Sequence, residues 1–431
     1  MKFKPALPLI VGVLATAVPA HAASKVTYYE DVAPIMRANC QGCHQPTGKN
    51  IGSLVAPMSL MTYEETRPWA RAIAKKVGAH EMPPWFASEP KGVFSNERGL
   101  TDKQVQTILA WVEAGAPAGD KARATPPPVT VEAATGGWSL GKPDFIVKIP
   151  KPFSVPDAAQ DLQVTFYTKL TDELLPHDVN VRAWEFRTGS AIPGKYTVHH
   201  MCGGLEAPGF DESAAEENGE SVGLSLGCVA GGAEPTELPA GYGLEIKKGS
   251  TVTMSMHYYK EAGPGTGYMN EAEIGFFLAS GPVTRKVLSR AIGNTFFEIP
   301  PHSENYRVGA AVTLKKDTEL LALWPHAHLR AVTARYVATY PDGRKEVLLD
   351  VPRYDQSWQV TYKYRQPKLL PKGTRIDVDM TYDNTAGRAA KRGFDTNKTI
   401  LEGPRTQDEM MLGFFSYTEL DTANTETQQQ D

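Results

Sequence analysis

Cysteine is scarce in this sequence, and long apolar runs are absent after its first residues. Four cysteines among 431 residues are too few for a fold built on a dense disulfide framework. The 45 Lys and Arg residues are outnumbered by 49 Asp and Glu, so the chain lacks the basic surface that nucleic acid binding requires. No later stretch is long and apolar enough to cross a bilayer. What remains is the composition of a globular protein, and its length predicts two or three domains.

The N-terminus has the features of an export signal. Lysines at positions 2 and 4 precede a short apolar run over residues 7–18, and Ala20 and Ala22 frame a small-x-small cleavage site. The run is too short to anchor the chain in about 30 Å of hydrocarbon. We therefore expect a cleaved signal peptide over residues 1–22 and a mature protein in the periplasm, where disulfides are permitted.

A helical block follows the signal. Val32, Ile35 and Met36 have helical spacing, and Thr101 and Gln104 match a capping box ahead of an amphipathic run. Residues 23–120 are therefore predicted to form a small all-α domain.

The remainder predicts a linker and then β structure. A Pro-rich linker is expected over residues 121–142, and short runs rich in Val, Tyr, Thr and Phe follow it, separated by turn residues. About 290 residues are many for one sandwich, so two all-β sandwiches are predicted. Their expected bounds are 143–290 and 291–421, with a disordered tail at 422–431.

The strongest motif is Cys40-Gln41-Gly42-Cys43-His44, the C-x-x-C-H pattern of c-type haem attachment. Its two thiols reach two vinyl groups on one porphyrin edge, and the adjacent His44 supplies the proximal nitrogen to the iron. A redox dithiol or half of a zinc site would use the same Cys spacing. No second Cys pair lies nearby to complete a zinc site, and a dithiol needs no histidine here. One covalent haem c on Cys40 and Cys43 is therefore expected.

The sixth iron ligand is predicted to be Met82, because the prolines after it hold this loop extended and fixed. Met58, Met61 and His80 compete for the same role, and a lone Met more often fills a core. A Met ligand would raise the haem potential and favour electron transfer. The segment from about Thr27 to Asp120 resembles bacterial class-I-like cytochrome c domains in its attachment motif, its Met-Pro-Pro-Trp segment and its final amphipathic helix.

Histidines in the β region are the second candidate site. His326 and His328 lie two apart and would face one side of a strand. His257 lies in another predicted strand, on the face opposite to that of Met254 and Met256. His199 and His200 are adjacent, so joint ligation requires a bulge or a strand end. Spacing alone does not choose among copper, zinc, iron and nickel, and a lone His-x-His is more often a strand pair without a metal.

The order of these pieces is more specific than any one of them. The series, in chain order, is His199-His200-Met201-Cys202, Cys228, Leu238-Pro239-Ala240-Gly241, Met256-His257-Tyr258, His326-Ala327-His328 and Asp408-Glu409-Met410. In this order the motifs resemble the copper type II, ascorbate-dependent monooxygenases, which include the peptidylglycine α-hydroxylating and dopamine β-monooxygenases. The resemblance spans about Pro143 to Leu420.

The resemblance implies two jelly-roll-like sandwiches with one copper ion each, in two separate pockets. Its electron-transfer copper would bind His199, His200 and His257. Its catalytic, O2-activating copper would bind His326, His328 and Met410, where a soft thioether favours Cu(I). A ligand at Met410 would favour copper over zinc, because zinc sites use Cys, His and carboxylate ligands. The alternative role of this side chain is packing in the core. Cys202 and Cys228 are then expected to form a disulfide.

Two positions depart from that family. The peptide hydroxylase grips its substrate's carboxylate with an Arg and a Tyr, and this sequence has Trp324 and Phe414 at the matching positions. Neither supplies a charge or a hydroxyl group, so a peptidyl-glycine substrate is not expected. A flatter or less charged small organic substrate is predicted instead.

The fused haem domain is a further departure. A tether keeps an electron donor at high effective concentration, so the haem on His44 is predicted to feed the first copper and to be reduced by an external donor such as a cytochrome or ascorbate. The leading interpretation is a periplasmic copper-dependent monooxygenase that hydroxylates a C–H bond with O2. The alternatives are a non-catalytic electron-transfer or copper-binding protein, and a haem-based redox sensor.

Overall fold

The computed structural model describes residues 26–45, 58–124, 138–189, 198–213, 223–230 and 234–420. The predicted signal peptide, most of the predicted linker and the predicted tail lie outside these residues. At the start of the linker, Lys121–Arg123 forms a 3-10 turn capped by the Asp120 side chain. Within the described ranges, no helix combines the length and the apolar character needed to cross a membrane.

The first described residues form a small helical unit. The predicted capping box is present, because the Thr101 side chain accepts a hydrogen bond from the Gln104 backbone N–H and the Gln104 side chain accepts one from the Thr101 backbone N–H. Val105 and Ile108 then face the unit's core together with Trp111. The unit comprises a π-helical turn (Tyr28–Val32), α1 (Ala33–Asn39), α2 (Tyr63–Thr66), a 3-10 turn (Arg67–Trp69), α3 (Ala70–Gly78) and α4 (Asp102–Glu113).

The middle of the segment between α3 and α4 packs against the β region. Phe94 is fully buried in the core of the C-terminal sheets, and this segment forms backbone bridges at Glu89 to Asp350 and at Phe94 to Tyr364. Prolines in the segment prevent a helix, and its aromatic side chains gain a larger core by lying on the β region. The predicted all-α domain over 23–120 therefore contains an extended stretch that belongs structurally to the β region.

Two pairs of mostly antiparallel sheets make up most of the described β region, and the first pair packs around one core. Alternation along one strand explains the packing, since Val252, Met254 and Met256 are at most 1% exposed and point to the same face. Sheet 1 contains β1 (Phe145–Lys148), β11 (Glu273–Leu278), β4 (Val179–Arg187), β8 (Tyr242–Ile246) and β12 (Arg285–Lys286), with β7 (Thr236–Glu237) beside β4; sheet 2 contains β3 (Asp161–Lys169), β9 (Thr251–Tyr259), β5 (Val198–Glu206) and β6 (Leu224–Ala230).

The second pair surrounds its own core, in which Leu323 and Phe415 face Val378 and Ala334. Sheet 3 contains β13 (Leu288–Gly293), β22 (Leu412–Glu419), β16 (Thr318–His326) and β19 (Tyr362–Leu370); sheet 4 contains β15 (Tyr306–Thr313), β20 (Arg375–Tyr382), β17 (Ala331–Thr339) and β18 (Lys345–Val351). Shorter elements are the pair β2 (Phe153–Val155) with β10 (Tyr268–Asn270), the pair β14 (Glu298–Ile299) with β21 (Ile400–Leu401), and α5 (Ala386–Arg392).

The chain passes from one sheet pair to the other at Val287. The preceding strand β12 pairs with β8, in parallel, and the following strand β13 pairs with β22. This point lies just before the predicted division after residue 290. The sheets thus give two β units in which strands distant in sequence are hydrogen-bonded neighbours.

The predicted disulfide is present. Cys202 on β5 and Cys228 on β6 face each other in register and are bonded, with 26 residues of sequence separation. Replacing both by serine is expected to lower the free energy of unfolding by about 3–4 kcal/mol, because the open loop regains entropy in the unfolded state. Denaturant unfolding of the variant and the parent chain measures this change. A loss below about 1 kcal/mol would contradict the chain-entropy argument for this loop.

Candidate haem and metal sites

The haem motif lines a cavity of about 340 Å³ between the helices and the C-terminal β unit. Cys40, Cys43 and His44 contribute to its wall, with Ile73 and Val77 of α3 among the apolar neighbours. Both thiols are unpaired, and burial raises the pKa of the Cys40 thiol to about 12. An apolar cavity with two adjacent thiols and an imidazole fits a covalently attached porphyrin.

The imidazole of His44 is held by its own loop. Its Nδ1 lies 3.2 Å from the carbonyl oxygen of Met58, a bond that fixes the ring and leaves Nε2 for a metal. Burial lowers the pKa of His44, which keeps the ring neutral and able to ligate. Met82, the predicted sixth ligand, lines the same cavity, and so does its competitor Met58.

A β-bulge brings His199 and His200 to the same side of β5. Val198 pairs with Tyr258 and His200 pairs with His257, so the register shifts by one residue at His199. The extra residue removes the strict alternation that would separate adjacent side chains. Candidate ligand atoms of His199, His200 and His257 all lie within 4.8 Å of one another, as joint ligation requires.

Two ring nitrogens in this group are buried without a partner. His257 Nε2 lies 2.7 Å from Asp161 Oδ1 and 3.1 Å from Thr406 Oγ1, while its Nδ1 has no hydrogen-bond partner, and neither does His199 Nε2. An unpaired buried polar atom costs free energy, and a metal ion would remove that cost. A carboxylate on the second nitrogen of a histidine is the usual support of a metal ligand.

His326 and His328 lie at the end of β16. The strand ends at His326, and His328 follows it with its ring centroid 5.4 Å from that of His326. His326 Nδ1 is 2.6 Å from Gln359 Oε1, and His328 Nδ1 is 3.1 Å from the carbonyl oxygen of Asp408. Each ring is thus fixed at Nδ1, which leaves Nε2 for a metal.

Met410 follows two residues that hold this segment. The Glu409 carboxylate accepts a hydrogen bond from the backbone N–H of His328 at 2.8 Å and from that of Arg330 at 2.6 Å. The backbone carbonyl of Met410 accepts a hydrogen bond from Tyr382 at 2.7 Å. Burial raises the pKa of Glu409 to about 7. These contacts place the backbone at Met410 beside the His326–His328 segment.

The two histidine groups meet at the interface of the β units. The ring centroids of His200 and His326 are 5.8 Å apart, and the Gln359 amide contacts both rings, with its Nε2 3.5 Å from His200 Nδ1. The expectation of two separate pockets is therefore corrected: five imidazoles form one continuous cluster. The reason is that these histidines lie outside both hydrophobic cores, so that they converge where the two β units meet.

Burial keeps four of the five imidazoles neutral. Burial lowers the pKa of His199 and of His328 to about 3, and it lowers the pKa of His200 and His326 as well. A protonated imidazole cannot bind a metal ion. These rings are therefore available as ligands throughout the physiological pH range.

The two positions that depart from the hydroxylase pattern form one aromatic stack. Trp324 and Phe414 are paired in register on β16 and β22, with ring centroids 5.2 Å apart and planes within 2°. Trp324 also lines a cavity of about 90 Å³ between the two β units. The two rings thus form an aromatic surface without a charge or a hydroxyl group at this point of the interface.

Several supporting residues were not identified from the sequence. Asp161 and Gln359 hold histidine nitrogens, yet they lie far along the chain from the rings that they contact, and no motif marks them. Trp358 lines the haem cavity from the C-terminal β unit and is equally unmarked. These contacts depend on how strands and loops distant in sequence pack together, and the spacing of residues in the sequence does not predict them.

The helical unit and the haem motif define a haem-binding electron-transfer domain, joined here to two β units. Residues 29–115 match the family model of cytochrome c. The chain therefore contains a cytochrome c domain over these residues, which implies covalent haem c and electron transfer. No curated protein matches the chain.

Solved structures similar to this chain include viral proteins and a lyase. The major capsid protein P2 of bacteriophage PM2 has 9% identity and a TM-score of 0.25, over 65% of this chain and 99% of that one. The VP2 subviral particle of infectious bursal disease virus has 11% identity and a TM-score of 0.19, over 64% and 73%. A Paenibacillus xanthan lyase has 11% identity and a TM-score of 0.17, over 64% and 25%.

Proposed function

We propose that this chain is a periplasmic copper-dependent monooxygenase that hydroxylates a C–H bond of a small organic substrate with O2, using electrons delivered through its own c-type haem. The observation that carries the proposal is the buried histidine cluster. Its buried ring nitrogens on His199 and His257 have no hydrogen-bond partner, which a bound metal ion would supply, and Gln359 and the Asp408 carbonyl orient His326 and His328.

The residue types of both predicted groups suit copper. Three imidazoles at His199, His200 and His257 suit both copper oxidation states, whereas two imidazoles with the Met410 thioether favour Cu(I). Bound copper would supply one-electron chemistry toward O2, and the haem would store one electron. The disulfide Cys202–Cys228 supports export to an oxidising compartment.

The protein's own residues set the conditions for that chemistry. The sheet interface buries His257 and His328 to 1% and 2% exposure, which excludes water from the ligand atoms. Asp161 holds a proton at His257 Nε2, so that this ring is fixed as the tautomer with a free Nδ1. The Trp324–Phe414 stack offers apolar surface on the same face of β16 as His326, which suits a substrate without a carboxylate.

One observation favours the alternative, a non-catalytic electron-transfer or copper-binding protein. The cavity beside Trp324 measures about 90 Å³, whereas pockets for small organic ligands usually measure about 300–1,000 Å³. In that case the metal cluster would exchange electrons with the haem and turn over no substrate.

Metal analysis and oxygen uptake test the proposal. The purified, copper-loaded chain is expected to contain one iron and two copper ions, and to consume O2 with a reductant and an aromatic or aliphatic amine but not with a glycine-extended peptide. Stopped-flow absorbance should show haem oxidation coupled to that consumption. A chain that binds copper but consumes no O2 would favour the non-catalytic carrier. Haem oxidation that does not depend on copper would favour a redox sensor. Selective turnover of the peptide would contradict the proposed substrate class.

A further inference from the structure

We infer that Trp358 and Gln359 connect the haem cavity to the histidine cluster and carry the electron between them. This inference rests on the proposed function, because it needs a redox metal at the histidines. The two residues are adjacent in the chain, yet their side chains reach two different sites. Trp358 lines the haem cavity together with Cys40, Cys43 and His44.

Gln359 contacts the other site directly. Its Oε1 lies 2.6 Å from His326 Nδ1 and its Nε2 lies 3.5 Å from His200 Nδ1, so one amide joins the two predicted ligand groups. Gln359 is 6% exposed. Among the described residues, this route from the haem cavity to either ring runs through the two side chains, the peptide unit that joins them and one hydrogen bond.

The loop that carries both residues is fixed at several points. The Trp358 backbone N–H donates to the Asp355 carbonyl oxygen at 2.9 Å, and the Asp355 carboxylate is paired with Arg392 at 3.0 Å. The Tyr354 hydroxyl accepts a hydrogen bond from the Ala327 N–H and donates one to the Ala327 carbonyl oxygen, each at 3.0 Å. The loop is thereby locked against the middle residue of the His-x-His segment.

The same loop is attached to the cytochrome domain. Arg353 donates a hydrogen bond to the carbonyl oxygen of His80 at 3.0 Å, two residues before Met82, which shares the haem cavity with Trp358. The cavity and the cluster are thus held at a fixed separation by one short loop. Electron tunnelling decays less steeply along covalent and hydrogen bonds than across gaps, so this loop is the favoured path.

The step is a single electron transfer. A ferrous haem becomes ferric, a cupric ion at the histidines becomes cuprous, and no covalent bond forms or breaks. An external one-electron donor, such as a small redox protein or an ascorbate-type reductant, restores the ferrous haem. Trp358 and Gln359 are positioning residues in this step, since neither is itself oxidised or reduced in the net reaction.

The experiment measures haem oxidation in the copper-loaded full chain after flash reduction of the haem, without O2 or substrate. Trp358→Leu and Gln359→Leu are each expected to lower the haem-to-copper rate constant by at least about tenfold. Haem content and haem potential are measured in every variant, so that the rate constants are compared at known haem occupancy and driving force. Gln356→Leu is the matched control, because Gln356 is a buried glutamine of the same loop whose Nε2 has no partner. Copper content is measured in every sample. If Gln359→Leu loses copper, Trp358→Leu still tests the inference, because it keeps the contacts of Gln359 with the histidines.

The outcomes separate this inference from the proposed function. A parent chain that binds no copper overturns both. Copper binding with rate constants of Trp358→Leu and Gln359→Leu within about twofold of the parent overturns the inference alone. An equal slowing in Gln356→Leu also overturns it, because the effect would then come from general disturbance of the loop.

Discussion

Replacing Cys40 and Cys43 by alanine is expected to abolish covalent haem attachment. Both thiols line the 340 Å³ cavity, and the thioether bonds to the porphyrin have no other sulfur partner in the motif. After acid and organic extraction of the denatured variant, the haem absorbance of the protein fraction should fall to background, whereas the parent chain retains it. Mass spectrometry should show the loss of one haem mass.

The other cysteine pair provides the control for this variant. Cys202→Ser with Cys228→Ser removes the same number of sulfur atoms from a disulfide on β5 and β6, so its covalent haem should remain at the parent level. Covalent haem retained by the Cys40→Ala, Cys43→Ala variant would disprove the attachment site. Copper content should be unchanged in that variant, since the histidine cluster is built from the β units.

Replacing His326 and His328 by asparagine is expected to remove one copper ion per chain and to reduce copper-dependent oxygen uptake by more than about 100-fold. Loss of a residue that merely supports a metal ligand typically costs about 10–100-fold in affinity or activity, and these two residues are the predicted ligands themselves. Elemental analysis and an oxygen electrode measure the two effects on the same preparation.

His177→Asn serves as the matched control, because this histidine is exposed and has no predicted role. It should keep two copper ions and the parent's oxygen uptake. If the His326, His328 variant keeps both copper ions, the ligand assignment is wrong. If it loses one copper ion while neither it nor the parent consumes oxygen, the copper carrier becomes the better description.

Local sequence was informative where a short segment makes its own structure. The C-x-x-C-H motif predicts the haem domain that the family match confirms, because two thiols and the ligand lie within five residues. The Thr101–Gln104 capping box predicts the start of α4, since its hydrogen bonds lie within one turn. The Cys202–Cys228 disulfide followed from the resemblance to a family and not from spacing.

Other features depended on contacts between distant strands. The bulge at His199 is visible only in the pairing of β5 with β9. The segment around Phe94 lies between two helices in sequence, and its position there predicts a helical block. Its aromatic side chains join the C-terminal core, which no local pattern reports. The same holds for Asp161, which meets His257 across two strands.

The sequence by itself determined the haem attachment site, the helical and β blocks and the histidines available as ligands, because these follow from side-chain chemistry and short-range periodicity. Only the tertiary structure decided that His200 and His326 meet within 5.8 Å and that Trp358 reaches the haem cavity. Those contacts arise where the two β units and one loop pack together. Packing of this kind depends on the shapes of whole domains, which no single segment of the sequence specifies.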